Sequence, residues 1–211
     1  MEPKLTEQVV NQKQRLTLTD QLRLRFKNVL DSVGAFLNRL GLMPNTVTIL
    51  GLIGNTLGAY FLARGQMTLG GVLILLMGPV DALDGTMARL RVEPTEFGAF
   101  VDSVTDRYSE LVIFGGLLYY YLQQGDILLA ALAYLAAAGS VLVSYTRARA
   151  QSLGVDTKVG ILTRLERYLI LSPALVFNIP HIALWILAVF TNLTALQRIL
   201  DVRSKAHKKK L

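Results

Sequence analysis

The chain has 211 residues, 52% of them hydrophobic and 18% charged, with 22 lysines and arginines against 15 acidic residues and no cysteine. A net charge of +7 on a mean hydropathy of +0.42 excludes disorder and a disulfide scaffold. A soluble domain carries about 25% charged residues, and a nucleic-acid binder of pI 9.8 would spread basic stripes over a polar surface. Here the apolar residues run in long blocks and the basic ones fall between them. This is the composition of an integral membrane protein, with membrane lipids and no nucleic acid as its surroundings.

Residues 1–46 are polar and mixed, and the pattern predicts no secretory signal. Within them Leu22, Phe26, Val29, Leu30, Val33, Phe36, Leu37 and Leu40 recur at helical spacing, with Arg23, Lys27 and Arg39 off the stripe. An amphipathic helix is expected there, lying on the membrane surface or packed on the same protein. Apolar runs near the ~20 residues that cross ~30 Å of bilayer follow. They are Val47–Ala63, Leu69–Arg89, Glu96–Tyr121, Ile127–Arg147, Val159–Phe177 and Ile182–Leu200. The expected fold is therefore all-α, six transmembrane helices with an N-terminal amphipathic surface helix. The organisation is a cytoplasmic segment 1–46, a membrane domain 47–200 and a basic tail 201–211.

Nearly all loop lysines and arginines lie in the N-terminal segment, at Arg89 and Arg91, at Arg147, Arg149 and Lys158, and in the tail; the alternate loops hold only Arg64. The positive-inside rule then predicts both termini in the cytoplasm. Tyr119, Tyr120, Tyr121 and Trp185 fall at the opposite rim, where an aromatic belt belongs. The alanine-rich fourth span favours close packing, within one chain or across two.

Ionisable side chains inside spans are costly and mark function. The second span carries Asp81 and Asp84 and the third Asp102 and Asp106, at i,i+3 and i,i+4, so each pair shares a helix face. Asp84 lies seven residues before Arg91 and Asp102 seven after Thr95, which is ~10 Å in each helix at 1.5 Å per residue. Asp81 and Asp106 lie about one turn deeper. An antiparallel hairpin sets the four carboxylates opposite one another in two layers, with Gly78, Gly85 and Gly98 allowing close approach. Four buried carboxylates need compensation, from protons as in a relay or from divalent cations. The second is favoured: two divalent ions cancel four carboxylates, and an oxygen-only donor set selects Mg²⁺, Mn²⁺ or Ca²⁺.

Asp81-Ala-Leu-Asp84-Gly85-Thr-Met-Ala88-Arg89, eight residues, then Gly98-Ala-Phe-Val-Asp102-Ser-Val-Thr-Asp106 resembles the signature of the CDP-alcohol phosphotransferases at all eight of its fixed positions. The resemblance implies a CDP-linked lipid, usually CDP-diacylglycerol, and an alcohol whose hydroxyl attacks the lipid-side phosphorus while CMP leaves. It implies that Asp81, Asp84, Asp102 and Asp106 hold two divalent cations, Mg²⁺ or Mn²⁺, and that Asp106 is also the general base. It places Gly85, Ala88, Arg89 and Gly98 around the cytidine diphosphate, joined by Asn45 and Thr48 of Pro44-Asn45-Thr46-Val47-Thr48. A homodimer with a cytoplasmic active site, from a bacterial or archaeal membrane, is also what it implies.

Arg147, Arg164 and Arg198 come from three separate spans and sit at similar depth near the aspartates. Planar guanidinium forks bind phosphate well, so an acceptor that already carries phosphate is expected. Ser144-Tyr-Thr-Arg147, Gly154 and Val159-Gly160-Ile161-Leu-Thr-Arg164-Leu-Glu166-Arg167 resemble the branch acting on inositol phosphate, with Ser144, Arg147, Arg164 and Arg198 as acceptor-phosphate contacts. Glycerol 3-phosphate offers the same phosphate and is the alternative acceptor. A cation- or proton-coupled transporter is the alternative of another class.

Overall fold

The computed structural model describes residues 18–91, 95–157 and 159–208, and these are arranged as seven α-helices with no strand among them. The helices are α1 (Leu18–Arg39), α2 (Pro44–Ala63), α3 (Met67–Leu90), α4 (Glu96–Gln123), α5 (Ile127–Ser152), α6 (Arg164–Val176) and α7 (Pro180–Lys208). Four of them, α2, α3, α5 and α7, are long and apolar enough to cross a membrane. The 28-residue α4 carries Asp102, Asp106, Arg107 and Glu110 along its length, and α6 has only 13 residues. Lys158 and Lys209–Lys210 lie outside the described residues, as do the side chains of Leu22 and Arg23.

The fifth span begins later than its hydropathy implies. Residues 159–163 are not helical; Gly160 has φ +135°, and Thr163 caps α6 in an extended conformation. Its hydroxyl donates to the Glu166 carboxylate three residues on. The fourth span runs past Arg147 to Ser152, and α7 continues through Lys208 with no break at residue 200.

On α1, Phe26, Val29, Val33 and Phe36 are exposed, as is Leu40 just past its end, while Leu30 and Leu37 are half-buried, so most of the apolar stripe does not pack on the rest of the chain. Its opposite side docks at the end of α3 through Gly34, which lies against Thr86, Met87 and Leu90. Arg91 locks this junction, donating through Nε to Asn38 Oδ1 at 2.8 Å and through Nη2 to the Leu42 carbonyl at 2.5 Å. The helix therefore has a protein side and an apolar side, which suits the membrane surface.

The core runs through the far half of the bundle, where Leu62, Ile74, Phe114, Leu117, Leu175, Leu184 and Leu187 are buried together. Ala130, Ala133, Ala136 and Gly139 of α5 are buried as α5 packs on α7, so the alanine stripe serves packing within the chain. The expected tyrosine belt is only partly formed. Tyr119 and Trp185 are exposed, whereas Tyr121 joins the core and the Tyr120 ring covers Gly65. Consecutive helical residues differ by about 100°, so three tyrosines in a row cannot all face lipid.

Backbone-to-backbone contact sets helix spacing at several glycines, Gly116 and Gly71 among them. A Cβ on Gly116 would strike the Ala59 carbonyl of α2, and one on Gly71 would lie 2.6 Å from the Val176 nitrogen and 2.7 Å from Leu175 Cβ of α6. Gly71→Ala is expected to cost about 1–3 kcal/mol by overpacking and to lower Tm in detergent by several degrees. Gly115→Ala, where a Cβ meets nothing within 4 Å, is expected to leave Tm unchanged or raise it.

Candidate active site

The site lies at the end of the bundle where α3 leaves and α4 returns. Thr95 starts α4 as its N-cap, its hydroxyl accepting from Gly98 N at 3.0 Å, and this fixes the rotation that turns Asp102 and Asp106 toward α3. One carboxylate oxygen from each of Asp81, Asp102 and Asp106 lies within 4.8 Å of the others. These three form one group, with Asp84 beside it close enough to act on Asp81 and Asp102.

Asp84 is buried and held by its own partners. Thr48 Oγ1 of α2 donates to Oδ2 at 2.6 Å, and the Gly85 amide donates to Oδ1 at 2.5 Å. The Pro44–Thr48 element therefore reaches the aspartates directly, through Thr48. Asn45 stands against Gly98, its Oδ1 3.4 Å from where a Cβ would be, so α2 and α4 meet beside this glycine. Gly85 and Ala88 are half-buried on α3. Arg89 is exposed and donates to Thr86 Oγ1 at 2.8 Å.

Arg164, the first residue of α6, enters the carboxylate group. Its Nη2 lies 2.8 Å from Asp81 Oδ2 and 2.6 Å from Asp106 Oδ1, while the side chain stays 45% exposed. That ion pair is the contact of Asp106 Oδ1, which is buried and makes no hydrogen bond of ordinary geometry. Arg107 lies 3.8 Å from Asp106 Oδ2 and donates instead to the Ser103 carbonyl. Among the described side chains the four carboxylates thus face Arg164 and, farther off, Arg107, and His181 and His207 sit toward the two ends of α7. The donor set is hard, all oxygen and under-compensated, and it fits a divalent cation of the Mg²⁺ or Mn²⁺ type.

The other expected acceptor contacts divide. Ser144 and Arg147 lie one turn apart near the end of α5, Ser144 half-buried and Arg147 exposed. Arg198 is only 3% exposed and braces the fold, Nη1 donating to the Val143 carbonyl at 2.6 Å and Nε to the Val159 carbonyl at 3.0 Å. Arg147 and Arg167 are close enough to act on Arg198 electrostatically, so three arginines share this corner. Sequence reasoning passed over Glu110, which accepts from Arg167 Nη2 at 2.6 Å and Nε at 3.2 Å. The signal was there: Glu110 follows Asp106 by four residues and Arg167 follows Arg164 by three, a second rung of the same α4–α6 ladder.

The family model for CDP-alcohol phosphatidyltransferase matches residues 41–196, a stretch that contains every residue of the cluster. The chain belongs to the CDP-alcohol phosphatidyltransferase family. It is an enzyme of the phosphotransferase type and a multi-pass membrane protein, which sets aside the transporter alternative. It is 38% identical over 205 residues to a phosphatidylinositol phosphate synthase of Streptomyces avermitilis, covering 90% of this chain and 84% of that one. An archaetidylinositol phosphate synthase of Pyrococcus horikoshii is 32% identical, covering 89% of this chain and 98% of the relative. Crystal structures of the Mycobacterium tuberculosis phosphatidylinositol phosphate synthase superpose on this phosphatidyltransferase. The form with CDP-DAG bound gives a TM-score of 0.78 at 30% identity, covering 83% of this chain and 94% of that one. The form in complex with manganese and citrate gives 0.78 at 30%, covering 82% and 88%.

Thr48 is the sole side-chain donor that the described structure gives Asp84. Thr48→Val is expected to weaken Mn²⁺ binding by about tenfold, the scale at which partners of ligating carboxylates act, while Thr48→Ser retains it. Calorimetric titration of the purified enzyme with Mn²⁺ checks this, and equal affinity in Thr48→Val and wild type would remove the role assigned to the bond.

Proposed function

We propose that this enzyme transfers the phosphatidyl group of CDP-diacylglycerol to a hydroxyl of inositol phosphate, releasing CMP and forming phosphatidylinositol phosphate. The observation that carries the reading is the meeting of Arg164 with Asp81 and Asp106, a phosphate-binding side chain set against the carboxylates that would serve the diphosphate. The names of the relatives and structural neighbours above support inositol phosphate as the acceptor.

Two divalent cations, Mg²⁺ or Mn²⁺, held by Asp81, Asp84, Asp102 and Asp106, would supply the positive charge that offsets the diphosphate as the bond to CMP breaks. The protein's own part is positioning and proton transfer. An alcohol needs a base within hydrogen-bond reach, and Asp106, buried with Oδ1 held only by an ion pair, is the group assigned to it. The acceptor oxygen bonds to the lipid-side phosphorus, its proton passes to Asp106, and the phosphorus–oxygen bond to CMP breaks. Asn45, Gly85, Ala88, Arg89 and Gly98 border the space assigned to the cytidine diphosphate, and Thr48 steadies Asp84 beside it. Ser144, Arg147 and Arg164 receive the acceptor phosphate, with Arg198 bracing the corner it shares with Arg147. The basic ends of α3, α5 and α7 lie at the cluster's end of the bundle, which supports a cytoplasmic active site.

CMP release by the purified enzyme with Mg²⁺ and CDP-diacylglycerol is expected with inositol phosphate and not with free inositol. Release with glycerol 3-phosphate alone would overturn the acceptor assignment. Asp106→Asn is expected to lower turnover at least 10²-fold, the scale of a lost general base, with the elution profile of the folded enzyme unchanged. Full activity in that variant would remove Asp106 as the base.

A further inference from the structure

α3 carries Pro79 in its interior, two residues before Asp81. A proline has no N–H, so the carbonyl four residues earlier loses its helical donor, and the ring crowds it as well. That carbonyl belongs to Leu75, on a turn whose Leu75 and Leu76 side chains are exposed on the lipid-facing surface. In a bilayer no water replaces the missing donor, and an unsatisfied carbonyl costs several kcal/mol. The structure supplies one from another helix: Tyr168 Oη of α6 donates to the Leu75 carbonyl at 2.6 Å, with the Ile74 carbonyl farther away at 3.4 Å.

The seat of this tyrosine is cut to fit. A Cβ on Gly78 would fall on the hydroxyl end of the Tyr168 ring, so glycine next to the proline is what admits the ring. Tyr168 lies one turn after Arg164 and next to Arg167, the two residues that tie α6 to the carboxylates and to Glu110. Three ties from one face of α6 thus reach Asp81 and Asp106, Glu110 and the proline joint.

We infer that the Tyr168 hydroxyl is a positioning group: by donating to the carbonyl that Pro79 strands, it fixes α3 at the joint from which Asp81 and Asp84 project. It touches no reacting atom. Its contribution is to hold the part of α3 after Pro79 in register with α4, so that Asp81 stays within reach of Asp102 and Asp106. The consequence for metal rests on the carboxylate reading proposed above; the consequence for the helix does not.

Tyr168→Phe keeps the ring in the Gly78 seat and removes only the hydroxyl. In the full-length enzyme in detergent, hydrogen exchange of the amides from Val80 to Leu83 is expected to quicken, and Mn²⁺ affinity to fall by about tenfold. Pro79→Ala restores a main-chain donor to the Leu75 carbonyl, so adding Tyr168→Phe in that background is expected to change neither readout by more than about twofold. Unchanged exchange in Tyr168→Phe overturns the inference, and so does an equal loss of affinity whether Tyr168→Phe is made in the wild type or in the Pro79→Ala background. A wild-type enzyme that binds no Mn²⁺ overturns the carboxylate reading instead, and the exchange comparison then decides the role of Tyr168 alone.

Discussion

Carboxylates that share a site inside a membrane domain repel one another, and the rest of this enzyme is arranged around that repulsion. Two like charges 4 Å apart cost about 4 kcal/mol at an effective dielectric of 20, and Asp81, Asp102 and Asp106 have oxygens within 4.8 Å of one another. Arg164 opposes this by bridging Asp81 and Asp106, and Thr48 and the Gly85 amide take up Asp84. Among the described side chains the compensation is incomplete, four carboxylates against Arg164 and the more distant Arg107. An incomplete balance of this kind disposes a site toward cations and toward a substrate whose charge changes during reaction.

The cluster needs rigid supports because its members come from two helices and their partners from two more. The fold provides them as short cross-ties. Gly116 against the Ala59 carbonyl joins α4 to α2, and Gly71 against Val176 joins α3 to α6. Arg198 binds α5 to the non-helical residues before α6, and the Thr194 hydroxyl accepts from the Leu162 amide in the same stretch. That stretch is what delivers Arg164 to the aspartates at the first turn of a short helix. A full-length fifth span would carry a helical turn through the space where Gly160 and Thr163 now set the approach.

The two aspartate pairs were legible because helical periodicity puts Asp81 with Asp84 and Asp102 with Asp106, and a short connection makes the helices antiparallel neighbours; the other motif positions were legible through the family resemblance. The all-helical architecture and the apolar face of α1 were legible from helical periodicity as well. The late start of α6 was hidden because Val159, Ile161 and Leu162 are as apolar as a helix would be, and hydropathy does not report the backbone that Gly160 adopts. The three-plus-one arrangement was hidden because the partner of Asp84 comes from Thr48, 36 residues away. Arg198 shows the remaining limit. A snorkelling arginine, a phosphate ligand and a brace between carbonyls have the same sequence signature, and only its burial and its two carbonyl partners distinguish them.

The central claim is that the carboxylates of α3 and α4 form one cation-binding centre at the end of the bundle. Anomalous scattering at the manganese edge, from crystals of the full chain grown with Mn²⁺, addresses it directly. Anomalous density in contact with Asp81, Asp102 and Asp106 is expected. Density confined to other parts of the chain, with these three carboxylates contacted only by protein, would contradict it.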